Sequence, residues 1–395
     1  MNLFTSNSKT LLLGIALFAG SQFIFLSTSN IAQTASKQIV QEKRNWAKKK
    51  GIITAAPNKD LIFFFGNSRM SAGIIPDIFD ASNNNASTSY NLSLIGLQLP
   101  VHYFLLKDYL RHNVPPKYIL LNPLSKGYDI ESFPSYAVQG AGLEEIIPYA
   151  FYRKNMDIFF NFILPARLHW PETVRYFTGK ILTLMPPGIR ELHKKLYLER
   201  FGNKEIWGHN RPYFYESQFL RPEELHKNRI ELLKKQRGYY YAIEESTIGG
   251  QVTEQFLTNV GIELLDCPAR LNEQNNNEQN EKTPSKEDFD ALIDPLTRKF
   301  FRLTQEKGIT VVLLPTYYMG RYPLGCIATT GTPPRQPSPL YKYLQATYNN
   351  IYVLPDSGEI EYPFTLFSDP SHLNPEGAKM YTQRIAESFK QLRLK

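Results

Sequence analysis

Ser68 in FFFGNSRMS, and Asp369 with His372 in SDPSHLNPEG, are residue types that can together move an acyl group. A serine hydroxyl is a poor nucleophile at neutral pH. It needs a base such as His372, and the base gains from an acid such as Asp369 that orients its ring. The acid stands three residues ahead of the histidine, just where a helix should begin. Asn374 suits an N-cap, Pro375 suits the first helical position, and Ala378, Tyr381, Ile385 and Phe389 follow at helical spacing. Two readings fit this stretch: a reactive pair on a loop held against a rigid helix, or a pair that merely caps a surface helix. A nucleophile elsewhere would decide between them. Ser68 qualifies, because it follows a short apolar run and a glycine and opens the next helix, where backbone N–H groups stabilise developing negative charge.

The elements that must position these residues alternate. KDLIFFFGNSRMSAGIIPDIF (59–79) reads as a strand and a helical continuation, and TSYNLSLIG (88–96) as a second strand. LPVHYFLLKDYLRHN (99–113) has the spacing of an amphipathic helix, and PPKYILLNPLSKG (115–127) gives a third strand. Later come a helix in FDALIDPLTRKFFRLTQEKG, a strand in ITVVLLP (309–315), a helix in PSPLYKYLQATY, a strand in NIYVLPD (350–356) and the final helix. This order predicts an α/β fold with a parallel sheet flanked by helices. Ligands of such sheets bind at the carboxyl ends of the strands, where Ser68 falls and where the loop before the last helix can meet it.

The intervening region, about 130–266, is aromatic-rich, basic and helical or irregular, and RLNEQNNNEQNEKTPSKED (270–288) is a polar linker or exposed loop. LLLGIALFAGSQFIFL (11–26) is an apolar run that flanking residues extend toward the roughly 20 needed for a span. No good cleavage site follows it, so an uncleaved N-terminal transmembrane anchor is expected, with a cleaved signal peptide as the rival. More Lys and Arg follow this run than precede it, a bias that taken alone puts the body in the cytoplasm. Lys9 on a short tail fits the opposite orientation, with the body extracytoplasmic. The expected organisation is an anchor at 1–36, a basic juxtamembrane segment at 37–56, the core in two parts at 57–130 and 287–395, and an inserted cap at 131–286.

The 395 residues carry a formal charge of +8, which suits anionic partners. Hydrophobic residues at 42% and aromatics at 13% exclude a largely disordered chain. With no zinc-finger spacing or RNA-binding signature, nucleic acid is not expected as a partner. The densest basic cluster, KRNWAKKK (43–50), fits either a membrane surface or a solvated helix face. Cys267 and Cys326 could form one disulfide or be two buried thiols. The seven histidines are scattered, so no metal cluster and no cofactor is expected.

Gly66-Asn67-Ser68 after the first strand, with Asp369-Pro-Ser-His372-Leu-Asn-Pro-Glu-Gly before the last helix, resembles the SGNH (GDSL-like) hydrolase superfamily. The apolar N-terminal run and the large insertion are similar to its membrane-tethered branch, which includes alginate-type polysaccharide O-acetyltransferases and the protein that completes teichoic-acid D-alanylation. The resemblance covers roughly 57–130 and 287–395. It implies a flavodoxin-like three-layer sandwich with an inserted helical cap. It also implies Ser68 as nucleophile, His372 as base, Asp369 as its orienting acid, and an oxyanion hole from the Ser68 N–H, Gly96 and Asn122. The usual Gly-Asp-Ser is Gly-Asn-Ser here. Gly96 matches the second block by position only, and the third block, Gly-x-Asn-Asp, is absent; Asn122 stands at the corresponding strand end, where it also reads as a turn residue before Pro123. Arg69 could hold an anionic substrate or make a surface salt bridge. His209, among the aromatics of WGHNRPYFYES, could contact sugar, or that segment could be cap core. The expected activity is O-acylation of a cell-envelope polysaccharide, with a multi-span membrane acyltransferase as the acyl donor. An esterase and a non-catalytic envelope glycan-binding or assembly factor are the alternatives.

Overall fold

In the computed structural model the described residues are 35–94, 99–122, 142–152, 154–163, 165–201, 222–240, 252–259, 293–320, 339–354 and 360–393. The first strand, β1 (Asp60–Phe65), is apolar after its first residue because both its faces are covered. Leu61, Phe63 and Phe65 enter one core, and Ile62 and Phe64 enter the other. It is followed by α2 (Ser68–Gly73), α3 (Pro76–Ser82), β2 (Ser87–Asn91), α4 (Leu99–Leu110) and β3 (Tyr118–Leu121), all preceded by α1 (Ala35–Lys48). After the insertion come α11 (Pro295–Glu306), β4 (Thr310–Leu313), β5 (Tyr317–Gly320), α12 (Pro339–Thr347) and β6 (Ile351–Val353). The chain then forms β7 (Ile360–Pro363), a 3₁₀ turn (Phe364–Leu366), β8 (Phe367–Asp369), β9 (His372–Leu373) and α13 (Pro375–Arg393).

Five strands make a parallel sheet in the order β2-β1-β3-β4-β6, with Phe64 opposite both Asn91 and Leu120, and Val311 opposite both Ile119 and Ile351. Helices α1, α4, α11 and α12 bury their apolar faces on one side of the sheet, and α2, α3 and α13 on the other. The chain is therefore an α/β fold of three layers, as expected. The small parallel pair β5-β7 and the β8-β9 hairpin lie outside the sheet and were not expected from the sequence. The insertion is helical where described: α5 (Leu143–Tyr152), α6 (Asp157–Ile163), α7 (Pro165–Leu184), α8 (Pro187–Phe201), α9 (Pro222–Lys235) and α10 (Glu254–Asn259). Among the described residues no helix is long and apolar enough to cross a membrane; the run 11–26 lies outside them, as do the 270–288 tract, Cys267 and Cys326.

One expectation is corrected. Within KRNWAKKK, Lys43 and Arg44 face neither headgroups nor solvent: both are buried, with Trp46 and Ala47, where α1 joins the core. Arg44 donates to Asp108 at 3.2 Å, while the completely buried Lys43 donates to the Ser93 carbonyl at 2.7 Å. Burial lowers the Lys43 pKa well below that of a free lysine. The unfolded chain then binds more protons than the folded one between that lowered value and about 10.4, so stability rises with pH across this window. Lys43→Met removes the titrating group. Its urea-unfolding midpoint, measured from neutral to alkaline pH, should lose the part of the upward slope that the wild type shows.

Candidate active site

At the end of β1 the backbone turns through Gly66, whose φ of +157° suits glycine. Its N–H donates to Nε2 of the buried His102 at 3.3 Å, and its carbonyl accepts from the Leu94 N–H at 2.9 Å. Asn67 then caps α2, its side-chain oxygen accepting the Arg69 N–H at 3.0 Å, which leaves Ser68 as the first residue of the helix. The far end of α2 is clamped by buried Asn91. Its amide donates to the carbonyls of Met70 at 2.8 Å, Ile74 at 2.9 Å and Ser71 at 3.3 Å. The strand order reverses between β1 and β3, so Ser68 and Asn122, each just past one of these strands, flank the switch-point crevice of the sheet.

Asp369 and His372 occupy opposite positions of the β8-β9 hairpin rather than an irregular capping loop. The carboxylate holds the turn and the ring together. Its Oδ1 accepts from the Ser371 N–H at 2.7 Å and the His372 N–H at 3.0 Å, while Nδ1 of His372 lies 2.8 Å from Oδ2 and 3.0 Å from Oδ1. Burial pushes the Asp369 carboxyl up, but the ring hydrogen bond, the ring charge and the two backbone donors outweigh it and hold the group below its ordinary value. An ionised carboxylate on Nδ1 fixes that atom as the N–H and leaves Nε2 as the lone-pair nitrogen. Nε2 is buried and has no hydrogen-bond partner among the described residues. Next along the chain, Asn374 starts α13 as expected, its side chain accepting the Gly377 N–H at 3.0 Å and donating to the Thr365 carbonyl at 2.8 Å.

The two halves meet because α2 packs against β9. Tyr317, on β5, ties them: its buried hydroxyl donates to the Arg69 carbonyl at 2.6 Å, and its ring lies edge-on to Phe367 of β8 and to Tyr381 of α13. The Ser68 hydroxyl makes no hydrogen bond to a described residue, so α2 and the hairpin touch while the hydroxyl and Nε2 are not bonded to each other.

Of the remaining expected site residues, Asn122 is buried at the end of β3, with its backbone N–H on the Phe65 carbonyl at 3.0 Å and one amide N–H on the Pro315 carbonyl at 3.3 Å. Its side chain is also a hydrogen-bond partner of the Tyr381 hydroxyl, so an oxyanion would have to compete with that contact for the second amide hydrogen. Arg69 forms no ion pair among the described residues; its guanidinium lies 4.9 Å from the Tyr318 ring centre and reaches the Tyr317 carbonyl at 3.4 Å, with Nε buried and unpartnered. Gly96 and His209 lie outside the described residues. Reasoning from sequence missed Asn91, His102 and Tyr317. An asparagine inside a strand and a histidine on the apolar side of a helix were the available signals for the first two. Tyr317 had only its place just beyond the end of β4.

An imidazole oriented by a carboxylate, with a free inward nitrogen and a serine-bearing helix N-terminus beside it, can take a proton from a hydroxyl and stabilise an alkoxide or oxyanion. No family model and no curated protein matches the chain.

Proposed function

We propose that this chain is a membrane-anchored serine acyl-transfer enzyme of the SGNH type that O-acylates a cell-envelope polysaccharide. The observation that carries the reading is the Asp369–His372 pair, with unpartnered Nε2, on a hairpin packed against the helix that Ser68 opens. The strand order is the flavodoxin-like one, which supports the SGNH reading of the fold with the helical insertion as its cap. The serine Oγ attacks the carbonyl carbon of an ester or thioester donor while His372 takes its proton and Asp369 holds the imidazolium. The tetrahedral intermediate collapses to an acyl-serine as His372 protonates the leaving group. An acceptor hydroxyl, deprotonated by the same nitrogen, then attacks the acyl carbon and Ser68 leaves with its proton restored. A multi-span membrane acyltransferase would supply the acyl group, the apolar run 11–26 would anchor the chain, and the domain would lie outside the cytoplasm. Arg69, with no acidic partner among the described residues, would hold an anionic group of the acceptor. With water as acceptor the same steps give an esterase.

Two observations favour a non-catalytic envelope factor instead: Ser68 and His372 share no hydrogen bond, and one amide hydrogen of Asn122 is already committed to Pro315. A serine-reactive fluorophosphonate separates the readings. The wild type should label, while Ser68→Ala should not and His372→Ala should label at least about 10²-fold more slowly. A wild type that fails to label while retaining glycan binding would sink the enzymatic reading. Acyl transfer from an activated acetyl ester should exceed hydrolysis once oligosaccharide is added; if hydrolysis dominates at every acceptor concentration, the esterase stands.

A further inference from the structure

The helix that Ser68 opens cannot stand on its own. With only six residues, α2 leaves most of its carbonyls without an intrahelical donor, and a single turn is unstable in isolation. Asn91 takes the carbonyls of Met70 and Ser71 and that of Ile74 just beyond. The Ser71 carbonyl also accepts the Tyr240 N–H at 3.2 Å. Tyr240 lies just past α9, where the insertion returns to the core, and is itself buried. The insertion therefore supplies part of the support of this helix.

Arg237 is the next link. After α9 the backbone turns through Arg237 at φ +48° and Gly238 at φ +93°, with the Gly238 N–H on the Leu233 carbonyl at 2.8 Å. The left-handed region suits glycine or asparagine and is unfavourable for arginine, so the residue is not there for its backbone. Its guanidinium donates to Asp80 of α3 at 2.6 Å, to Asp77 of the same helix and to the Ser89 carbonyl of β2 at 3.1 Å. Asp80 is buried and also accepts from the Ser87 hydroxyl at 2.6 Å and the Ser89 N–H at 3.0 Å. A guanidinium that bridges two carboxylates, one of them buried, is a fixed anchor. Held there, Arg237 presents its carbonyl to the Asn91 N–H at 2.9 Å. Gly238 follows so closely that a Cβ on it would collide with the Asn91 carbonyl oxygen.

We propose that Arg237 is a positioning residue for Ser68. Its side chain fixes the return segment to α3 and β2, its carbonyl holds the Asn91 N–H, and the Asn91 amide holds the far end of α2. The insertion is thus part of the nucleophile's seat. The proposal rests on the acyl-transfer reading for its rate measurement, while the mobility of α2 reports on the seat without any catalysis.

Saturation kinetics of fluorophosphonate labelling and hydrogen exchange are measured on the full-length chain, in buffer where each variant is fully folded by its urea-unfolding curve. Arg237→Asn keeps a residue that tolerates the left-handed backbone and removes the guanidinium. Its maximal labelling rate should fall about 10–10²-fold with the half-saturating concentration unchanged, and residues 70–74 should exchange about tenfold faster. Arg237→Lys should recover most of the rate but stay about threefold below the wild type, because an ammonium meets one carboxylate where the guanidinium bridges two. Lys107→Met breaks the pair with buried Glu145, 2.6 Å away between α4 and α5, and is the control. It should lower the urea midpoint and leave both readouts at wild-type values. A folded Arg237→Asn that labels like the control overturns the proposal and leaves Arg237 a stabilising ion pair. If Arg237→Asn does not fold, Arg237→Lys decides, and labelling at the control's rate overturns the proposal. If the wild type does not label, the acyl-transfer reading fails, and exchange at 70–74 alone decides the seat: exchange no faster in the variant overturns it.

Discussion

Asp369→Asn should lower acyl-transfer turnover, and the rate of fluorophosphonate labelling, by about 10³–10⁴-fold while leaving the protein folded. The hairpin survives because an amide oxygen in the Oδ1 position still accepts the Ser371 and His372 N–H groups, now at 2.7 and 3.0 Å. What changes is the Oδ2 position, 2.8 Å from Nδ1. An amide NH₂ placed there donates to Nδ1, so the ring carries its proton on Nε2 and loses the lone pair that a base requires. The pH dependence gives an independent check. The native carboxyl is held below its ordinary value, so its stabilising interactions are complete above about pH 4 and are lost as pH falls through the lowered value. Urea midpoints of the wild type should fall across that acid range, and those of Asp369→Asn should lack that component. A variant that keeps labelling within threefold of the wild type would reduce Asp369 to a turn residue and remove the main support for a base.

The sequence was readable where burial alone dictates the element. FFF, YILL, VVL and the first turn of α13 are apolar runs or cap signals whose local preference agrees with the sheet and helices they join. It was unreadable where distant contacts decide. The β5-β7 and β8-β9 pairs are two to four residues each, too short to show a period, and exist because tertiary packing brings their backbones together. The second strand ends at Asn91, earlier than its residue pattern implied, and there the side chain turns to donate to two carbonyls of α2 and to that of Ile74 just after it. KRNWAKKK looked like a surface cluster because charge dominates its composition, yet the position of Lys43 on α1 points it into the core, with the Ser93 carbonyl as its acceptor. The site shows the same division. Ser68, Asp369 and His372 were visible as residue types at telling positions, whereas Asn91 and Tyr317, which hold the helix and the hairpin in place, gain meaning only from the carbonyls they meet across the fold.

The same dependence on close approach makes Gly66→Ala a damaging small substitution at the site. An added Cβ would stand 2.5 Å from Cγ and 2.9 Å from Cβ of Met70, and 3.1 Å from Cβ of Asn122. Neither neighbour can easily withdraw. Met70 is completely buried on α2, with its sulfur 3.8 Å from the Tyr381 hydroxyl, and Asn122 is fixed through its backbone N–H and its amide. The backbone at φ +157° adds strain for any L side chain. Overpacking and backbone strain together should cost about 2–6 kcal/mol, a large part of the ~5–15 kcal/mol that holds a domain folded. Because the clash is with the helix that begins at Ser68, any protein that does fold should label with fluorophosphonate far more slowly than its loss of stability explains. Gly308→Ala is the control: its φ of +64° is also positive, but a Cβ there meets nothing within 4 Å, so it should cost only about 1 kcal/mol and leave labelling intact. Equal melting temperatures and equal labelling for the two variants would mean that the end of β1 and the start of α2 yield freely to an added methyl group. The rigid placement of Ser68 against the histidine hairpin, on which the proposed acyl transfer depends, would then be lost.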